Sequence, residues 1–212
     1  MSVIADNLAH VRAHAGDAKV IAVSKMQTIE AIRSALIAGQ RVFGENRVQE
    51  AKTKFSVLRS AFSDIELHLI GPLQTNKAEA AVELFDVIQT LDRPQLAQAL
   101  ASAIRKTGRH PLLYVEVNIG AEPQKSGVAP EALEEFLSYC RDVCALKISG
   151  VMCIPPQGKD PRPFFLHMRE LAMQFRLHHL SMGMSADYET ALSCGATEIR
   201  VGTGIFGERG PI

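Results

Sequence analysis

The chain has 212 residues, 47% of them hydrophobic, with 23 basic and 23 acidic side chains and a formal net charge of zero. That length suits one large α/β domain, expected to span 1–212 as a single unit, and the apolar fraction is enough for a sizeable core. The balanced charge offers no basic surface for nucleic acid or an anionic membrane, and with no tryptophan and only 6% aromatics a base-stacking surface is not expected either.

The N-terminal segment MSVIADNLAHVRAHAG carries acidic and basic residues early and no long apolar stretch, so it does not read as a signal peptide. No segment approaches the roughly 18 uninterrupted apolar residues of a membrane span, and a cytoplasmic protein is expected. The cysteines, Cys140, Cys144, Cys153 and Cys194, lack metal-ligand spacing and sit in apolar surroundings. They read as buried, reduced thiols.

Strand-like and helix-like stretches alternate along the chain. A leading helix near Val3 to His14 is followed by VIAVS from Val20, then a helical stretch from Thr28 to Ala38. Further strand-like runs are RVFG from Arg41, ELHLIG from Glu66, DVIQTL from Asp86, PLLYVEVN from Pro111, LKISGVMC from Leu146, HLSMG from His179 and EIRVGT from Glu198. Helical periods recur at Ala78 to Leu84, Pro94 to Arg105, Pro130 to Cys144 and Pro163 to Arg176. Pro94 and Pro130 fall where a first helical turn tolerates proline. The pattern predicts an α/β fold, a (β/α)8 TIM barrel with an extra N-terminal helix. An open doubly wound sheet is the alternative, but no Gly-x-Gly-x-x-Gly follows the first strand.

Lys25 ends the first apolar run. Alternation puts it on one face with Ile21 and Val23, at the carboxyl strand end where barrels keep their active sites. Burial would lower its pKa and free the amine to attack a carbonyl, whereas a lysine that snorkels to the rim would stay charged. Near the other end of the chain, Leu180 to Ser185 closes the seventh strand and Arg200 to Gly204 the eighth. Barrels often bind phosphate at this pair of loops, with glycine amides and hydroxyls as donors. The alternative is that Ser185 caps a helix opening at Ala186 and that Gly202-Thr203-Gly204 is a plain tight turn. Arg200 faces inward with either a ligand or a carboxylate such as Glu116 as its partner. Asn46 and Asn76 are candidate helix N-caps. His68 is expected in the barrel interior with Glu66 and Ile70, as a hydrogen-bonded core histidine. No residue cluster has metal-ligand spacing.

Together these features resemble the pyridoxal-phosphate homeostasis proteins, which share the barrel of the alanine racemase N-terminal domain. The matching segments are AVSK (Ala22 to Lys25), FGENRVQE (Phe43 to Glu50), HLIGPLQTNK (His68 to Lys77), VNIG with QKSG, GVMCIPP, LSMGMSADYETA and RVGTGIFGER, which reaches Arg209. The resemblance implies that Lys25 carries pyridoxal 5′-phosphate (PLP) as a Schiff base. It maps phosphate contacts onto Ser185, Gly202 and Thr203, the arginine facing the pyridine nitrogen onto Arg200, and a polar position beside the cofactor onto Asn46. Two positions depart from the family pattern. Arg47 follows the GEN triplet where an aromatic is usual, and Pro72 follows the IG pair where histidine is frequent.

An arginine on the pyridine nitrogen disfavours carbanion chemistry. Racemisation on this fold also needs a second acid/base on the opposite ring face. The chain stops soon after its eighth strand, and Tyr114, Tyr139 and Tyr188 fall on a strand or in helical stretches. The expectation is therefore a monomeric, non-enzymatic PLP-binding protein, with PLP-dependent apoenzymes as recipients. The alternatives are a low-activity amino-acid racemase and a lysine Schiff-base aldolase acting on a phosphosugar.

Overall fold

The computed structural model describes residues 2–208. Arg209, the last residue of the RVGTGIFGER match, lies outside them. Helix α1 (Val3–Ala15) opens on Ser2, whose hydroxyl accepts from the Ala5 amide at 3.3 Å. The chain then alternates: β1 (Lys19–Val23), α2 (Ile29–Ile37), β2 (Val42–Glu45), α3 (Val48–Leu58), β3 (Glu66–Leu69), α4 (Ala78–Leu84), β4 (Val87–Leu91) and α5 (Pro94–Thr107). It continues through β5 (Leu112–Val117), α6 (Leu133–Asp142), β6 (Ile148–Cys153), α7 (Arg162–Gln174), β7 (His179–Met184), α8 (Tyr188–Ser193), β8 (Glu198–Val201) and α9 (Thr203–Phe206). All neighbouring strands are parallel and β8 pairs with β1, so the described strands close in the order β1 to β8. This is the predicted (β/α)8 barrel with its leading helix.

Local chemistry explains several boundaries. Thr28 caps α2 by accepting from the Ala31 amide at 3.2 Å, and Pro94 opens α5. Gly108 ends α5 in the left-handed conformation at φ 68°. The stretch from Pro130 begins as a 3-10 turn, Pro130–Ala132, and α6 then stops before Cys144, so Cys140 and Cys144 do not share that helix.

Strand alternation divides the core in two. Outward residues such as Ala22, Phe43, Leu67, Ile88, Val115 and Ile199 are fully buried against the helices. Phe43 meets Phe55 of α3 with ring centroids 5.7 Å apart. Inside the barrel, apolar Ile21, Val87 and Met152 surround a polar group made of His68, Gln89, Tyr114, Ser181, Glu198 and Arg200, all buried. Hydrogen bonds cross this interior. Tyr114 donates to Glu198 at 2.6 Å, Gln89 donates to Glu198 at 3.0 Å, and Ser181 donates to Gln89 at 2.7 Å. His68 bridges Glu66 at 2.6 Å and Gln89 at 2.8 Å, which makes it the core histidine the sequence predicts. The cysteines are buried and free, and burial pushes the Cys140 and Cys153 thiols up to about 12, so neither is a ready nucleophile. Among the described residues, no helix is long and apolar enough to cross a membrane.

Candidate functional site

Lys25 sits at the barrel mouth, but not on the strand. β1 ends at Val23, although the Ser24 amide still donates to Gly44 O at 2.9 Å. The chain then turns, the Gln27 amide donating to Ser24 O at 3.0 Å, with Met26 at φ 61°. The half-buried Lys25 therefore lies in this turn, two residues past Val23, the end of the strand. The apolar run VIAVS hides the strand end because Ser24 remains buried and hydrogen-bonded as a strand residue would be.

The β7–α8 and β8–α9 loops meet. Ser185 Oγ accepts from the backbone amides of Gly202 at 3.2 Å and Gly204 at 3.3 Å. Ser185 therefore does not cap a helix. α8 starts only at Tyr188, because Asp187 takes the Met184 amide on its carboxylate at 2.6 Å and closes a separate turn. Thr203, exposed, opens α9 beside these amides. A Cβ on Gly204 would come within 2.9 Å of Val201, so the close packing of this turn depends on glycine.

Arg200 points into the barrel and is 4% exposed. Its Nη1 donates to Ser181 Oγ at 2.7 Å and its Nη2 to the Cys153 carbonyl at 2.8 Å. Among the described residues it forms no ion pair within 4.0 Å, so the alternative of a Glu116 salt bridge is not what the geometry holds. Burial pulls the Arg200 pKa below its ordinary value, against the opposing fields of Cys153, Glu116 and Asp187. Glu116, near the carboxyl end of β5, is pushed up to about 7 by burial and by Asp92, with Arg200 opposing. It lines a cavity of about 150 Å³ with Asn118, Lys125, Ser126 and Ile154.

Asn46 follows β2. It is not an N-cap, since α3 starts from Arg47. Asn76 lies inside a 3-10 turn, Thr75–Lys77, and caps nothing. Asn46 instead packs against Gly71, where a Cβ would fall 2.5 Å from the Asn46 carbonyl oxygen. The two departures, Arg47 and Pro72, line a cleft of about 680 Å³ together with Asn46, Gln74, Lys77 and Arg93.

The structure thus gathers the predicted residues onto consecutive strand ends: Ser185 after β7, Arg200, Gly202 and Thr203 at β8, Lys25 after β1 and Asn46 after β2. A Cβ on Gly202 would lie 3.5 Å from Val23, so the two turns are neighbours. Sequence reasoning missed Glu45, Glu50 and Lys54, which pack beneath the Lys25 turn. Their signal was available: a carboxylate ending a buried strand, and an i,i+4 Glu–Lys pair on the next helix. Among the described residues no cluster of His, Cys, Asp or Glu is placed to hold a metal.

The model of the alanine racemase N-terminal domain matches residues 1–210. A pyridoxal phosphate homeostasis protein of Aquifex aeolicus is 41% identical over 201 residues, covering 91% of this chain and 87% of that protein. A protein of the same name from Escherichia coli K12 is 37% identical over 231 residues, covering 99% and 98%. PipY of Synechococcus elongatus, solved without PLP, superposes with a TM-score of 0.89 at 42% identity, over 96% of this chain and all of that one. Its structure with PLP bound gives 0.87 at 40% identity. Alanine racemase of Corynebacterium glutamicum shares the fold, with a TM-score of 0.76 at 19% identity over 98% of this chain and 61% of that one.

Proposed function

We propose, from the premise that the chain belongs to the pyridoxal phosphate homeostasis proteins with the alanine racemase N-terminal domain, that it holds PLP at this rim as a Schiff base on Lys25. Retention and delivery of the cofactor, rather than turnover, is then its role. The observation that carries this reading is the convergence on adjacent strand ends of an amine (Lys25), a buried guanidinium (Arg200) and a glycine turn whose amides meet Ser185 Oγ at 3.2 and 3.3 Å.

The residues present fit the group. A dianionic phosphate suits the hydroxyls of Ser185 and Thr203, the Gly202 and Gly204 amides polarising the Ser185 hydroxyl by donating to its oxygen. When bound, PLP supplies an aldehyde that condenses with a primary amine and a ring that withdraws electrons most strongly when its nitrogen is protonated. Arg200 is a donor with no acceptor, so in this reading it leaves a facing nitrogen without a proton. Ser181 and the Cys153 carbonyl hold that guanidinium in place.

The tyrosines support a role without turnover. Tyr114 is spent inside the barrel on Glu198, and burial and that carboxylate push its pKa up. Tyr139 on α6 accepts a hydrogen bond from Gln98, and Tyr188 is packed on α8. A protein that keeps a reactive aldehyde as a reversible adduct limits its free concentration and can release it to apoenzymes. In this reading it acts as a monomer.

The test is reduction with borohydride in the presence of PLP, followed by peptide mapping. The adduct is expected on Lys25, and Lys25→Ala should abolish it together with the visible absorption band. A reducible adduct that persists at another lysine in that variant would overturn the assignment.

A further inference from the structure

Lys54 is a buried charge to which the PLP reading gives no part. It lies on α3, is 7% exposed, and has three oxygens within 2.9 Å of its ammonium. These are the Ser24 carbonyl at 2.8 Å, the Glu45 carboxylate at 2.6 Å and the Glu50 carboxylate at 2.9 Å. The same two carboxylates reach the β1–α2 turn directly. Ser24 Oγ donates to Glu45 Oε1 at 2.6 Å, and the Met26 amide donates to Glu50 Oε1 at 2.5 Å. The residues on either side of Lys25 are therefore tied to one charged cluster, Ser24 through Glu45 and Lys54, Met26 through Glu50.

The turn has a conformation that needs holding. Met26 adopts φ 61°, a left-handed geometry that a non-glycine residue keeps only when its surroundings impose it. A buried lysine with two carboxylates is also a poor device for stability alone, since desolvation offsets most of the attraction and apolar packing would serve as well. Such a cluster is best suited to fixing one backbone geometry out of several.

We propose that Lys54, Glu45 and Glu50 form a positioning cluster that fixes the Ser24–Met26 turn, so that the Lys25 amine is presented to the aldehyde of PLP. The proposal rests on the Lys25 reading above. Lys54 and its partners touch the turn, not the cofactor, and act through it.

Lys54→Met, in the full chain, should form the borohydride-trapped Lys25 adduct roughly 10–100-fold more slowly, the scale on which misplacement of a reacting group acts. Its affinity for pyridoxine 5′-phosphate, which has the phosphate and ring but no aldehyde, should be unchanged. In the ligand-free variant, amide exchange at residues 24–27 should rise by roughly tenfold or more, while strands β4 to β6 keep their protection. Glu50, with a side chain 28% exposed, provides a second pair of variants that spares the fold. Glu50→Ala should slow trapping, and Glu50→Gln, which keeps an acceptor for the Met26 amide, should recover it.

Equal losses of trapping rate and pyridoxine 5′-phosphate affinity would overturn the proposal, because the cluster would then only support the fold. Trapping at the parental rate in Lys54→Met would overturn it too. Should Lys54→Met not fold, the Glu50 pair decides, and parental trapping in both variants counts against the cluster. If the parent protein itself forms no Lys25 adduct, the cofactor reading fails. The exchange measurement on the ligand-free protein still decides whether the cluster holds the turn.

Discussion

Glu116 is a buried carboxyl group displaced well toward its neutral form. Burial beside Asp92 raises it to about 7 from an ordinary 4.5, and Arg200 does not fully offset this. A raised carboxyl favours the folded state when protonated. Its contribution is therefore complete below pH 4.5 and lost as pH rises through about 7. Urea unfolding across that window should show the parent losing stability relative to Glu116→Gln as pH rises, and parallel curves for the two would refute the assignment. The same neighbourhood shows what single residues reveal in a sequence. Arg200 reads correctly as inward-facing from its two-residue spacing to Gly202, yet its partners, a hydroxyl on β7 and a carbonyl on β6, come from elements that only the closed barrel brings near. Lys25 reads correctly as a rim residue. Its placement in a turn was hidden because Ser24, buried through Glu45, prolongs the apolar run past the end of the strand.

At the scale of elements, every strand was legible from its apolar run, and the starts of α2, α5 and α7 from Thr28, Pro94 and Pro163, because both signals are local. The loops were not, because their geometry depends on one another. Ser185 reads as a good N-cap, but the competing acceptor role toward the β8 turn wins, and Asp187 delays the helix by closing a turn of its own. Gly71 gives no warning in the sequence that it is the space in which Asn46 sits. The pairing of these loops yields a prediction about the phosphate. Ser185→Ala removes the oxygen that organises the Gly202 and Gly204 amides and one donor to a charged group, and should weaken PLP binding by roughly 1.5–3 kcal/mol. Pyridoxal, which lacks the phosphate, should bind the variant and the parent equally. Titration of both ligands decides the point: if pyridoxal loses as much as PLP, these loops do not hold the phosphate.

The whole barrel is threaded by one hydrogen-bonded chain. It starts at its amino-terminal end with Lys19 and Glu66, 2.6 Å apart, and passes through His68, Gln89 and Ser181 to Arg200, with Glu198 joining Gln89, Tyr114 and His179 at its side. These polar positions were not read from the sequence as a group, apart from His68 with Glu66, since they lie on strands far apart in the sequence that meet only inside the closed barrel. They cost little in the fold because each has a hydrogen-bond partner inside the barrel, on its own, a neighbouring or a facing strand. The chain also gives the molecule a second pH limb of opposite sign to that of Glu116. His68 holds the Glu66 carboxyl down to about 2, against burial and with help from Lys19. Glu198 is likewise depressed, burial being outweighed by His179, His68 and Tyr114. A depressed carboxyl stabilises the folded state above its ordinary value of 4.5, and that stability is lost as pH falls toward about 2. Glu66 contributes a rising limb from about 2 to 4.5 and Glu116 a falling one from 4.5 to about 7, so the two together favour the fold most near pH 4.5. Glu66→Gln should flatten only the acid limb, Glu116→Gln only the neutral one, and the double variant both. The Glu66 limb should also shrink with added salt, because Lys19 and Glu66 are about one-third exposed. Unfolding free energies of the four proteins from pH 2 to 8 test this, and a Glu66→Gln curve as steep as the parent's below pH 4.5 would show that the polar chain does not carry the acid sensitivity.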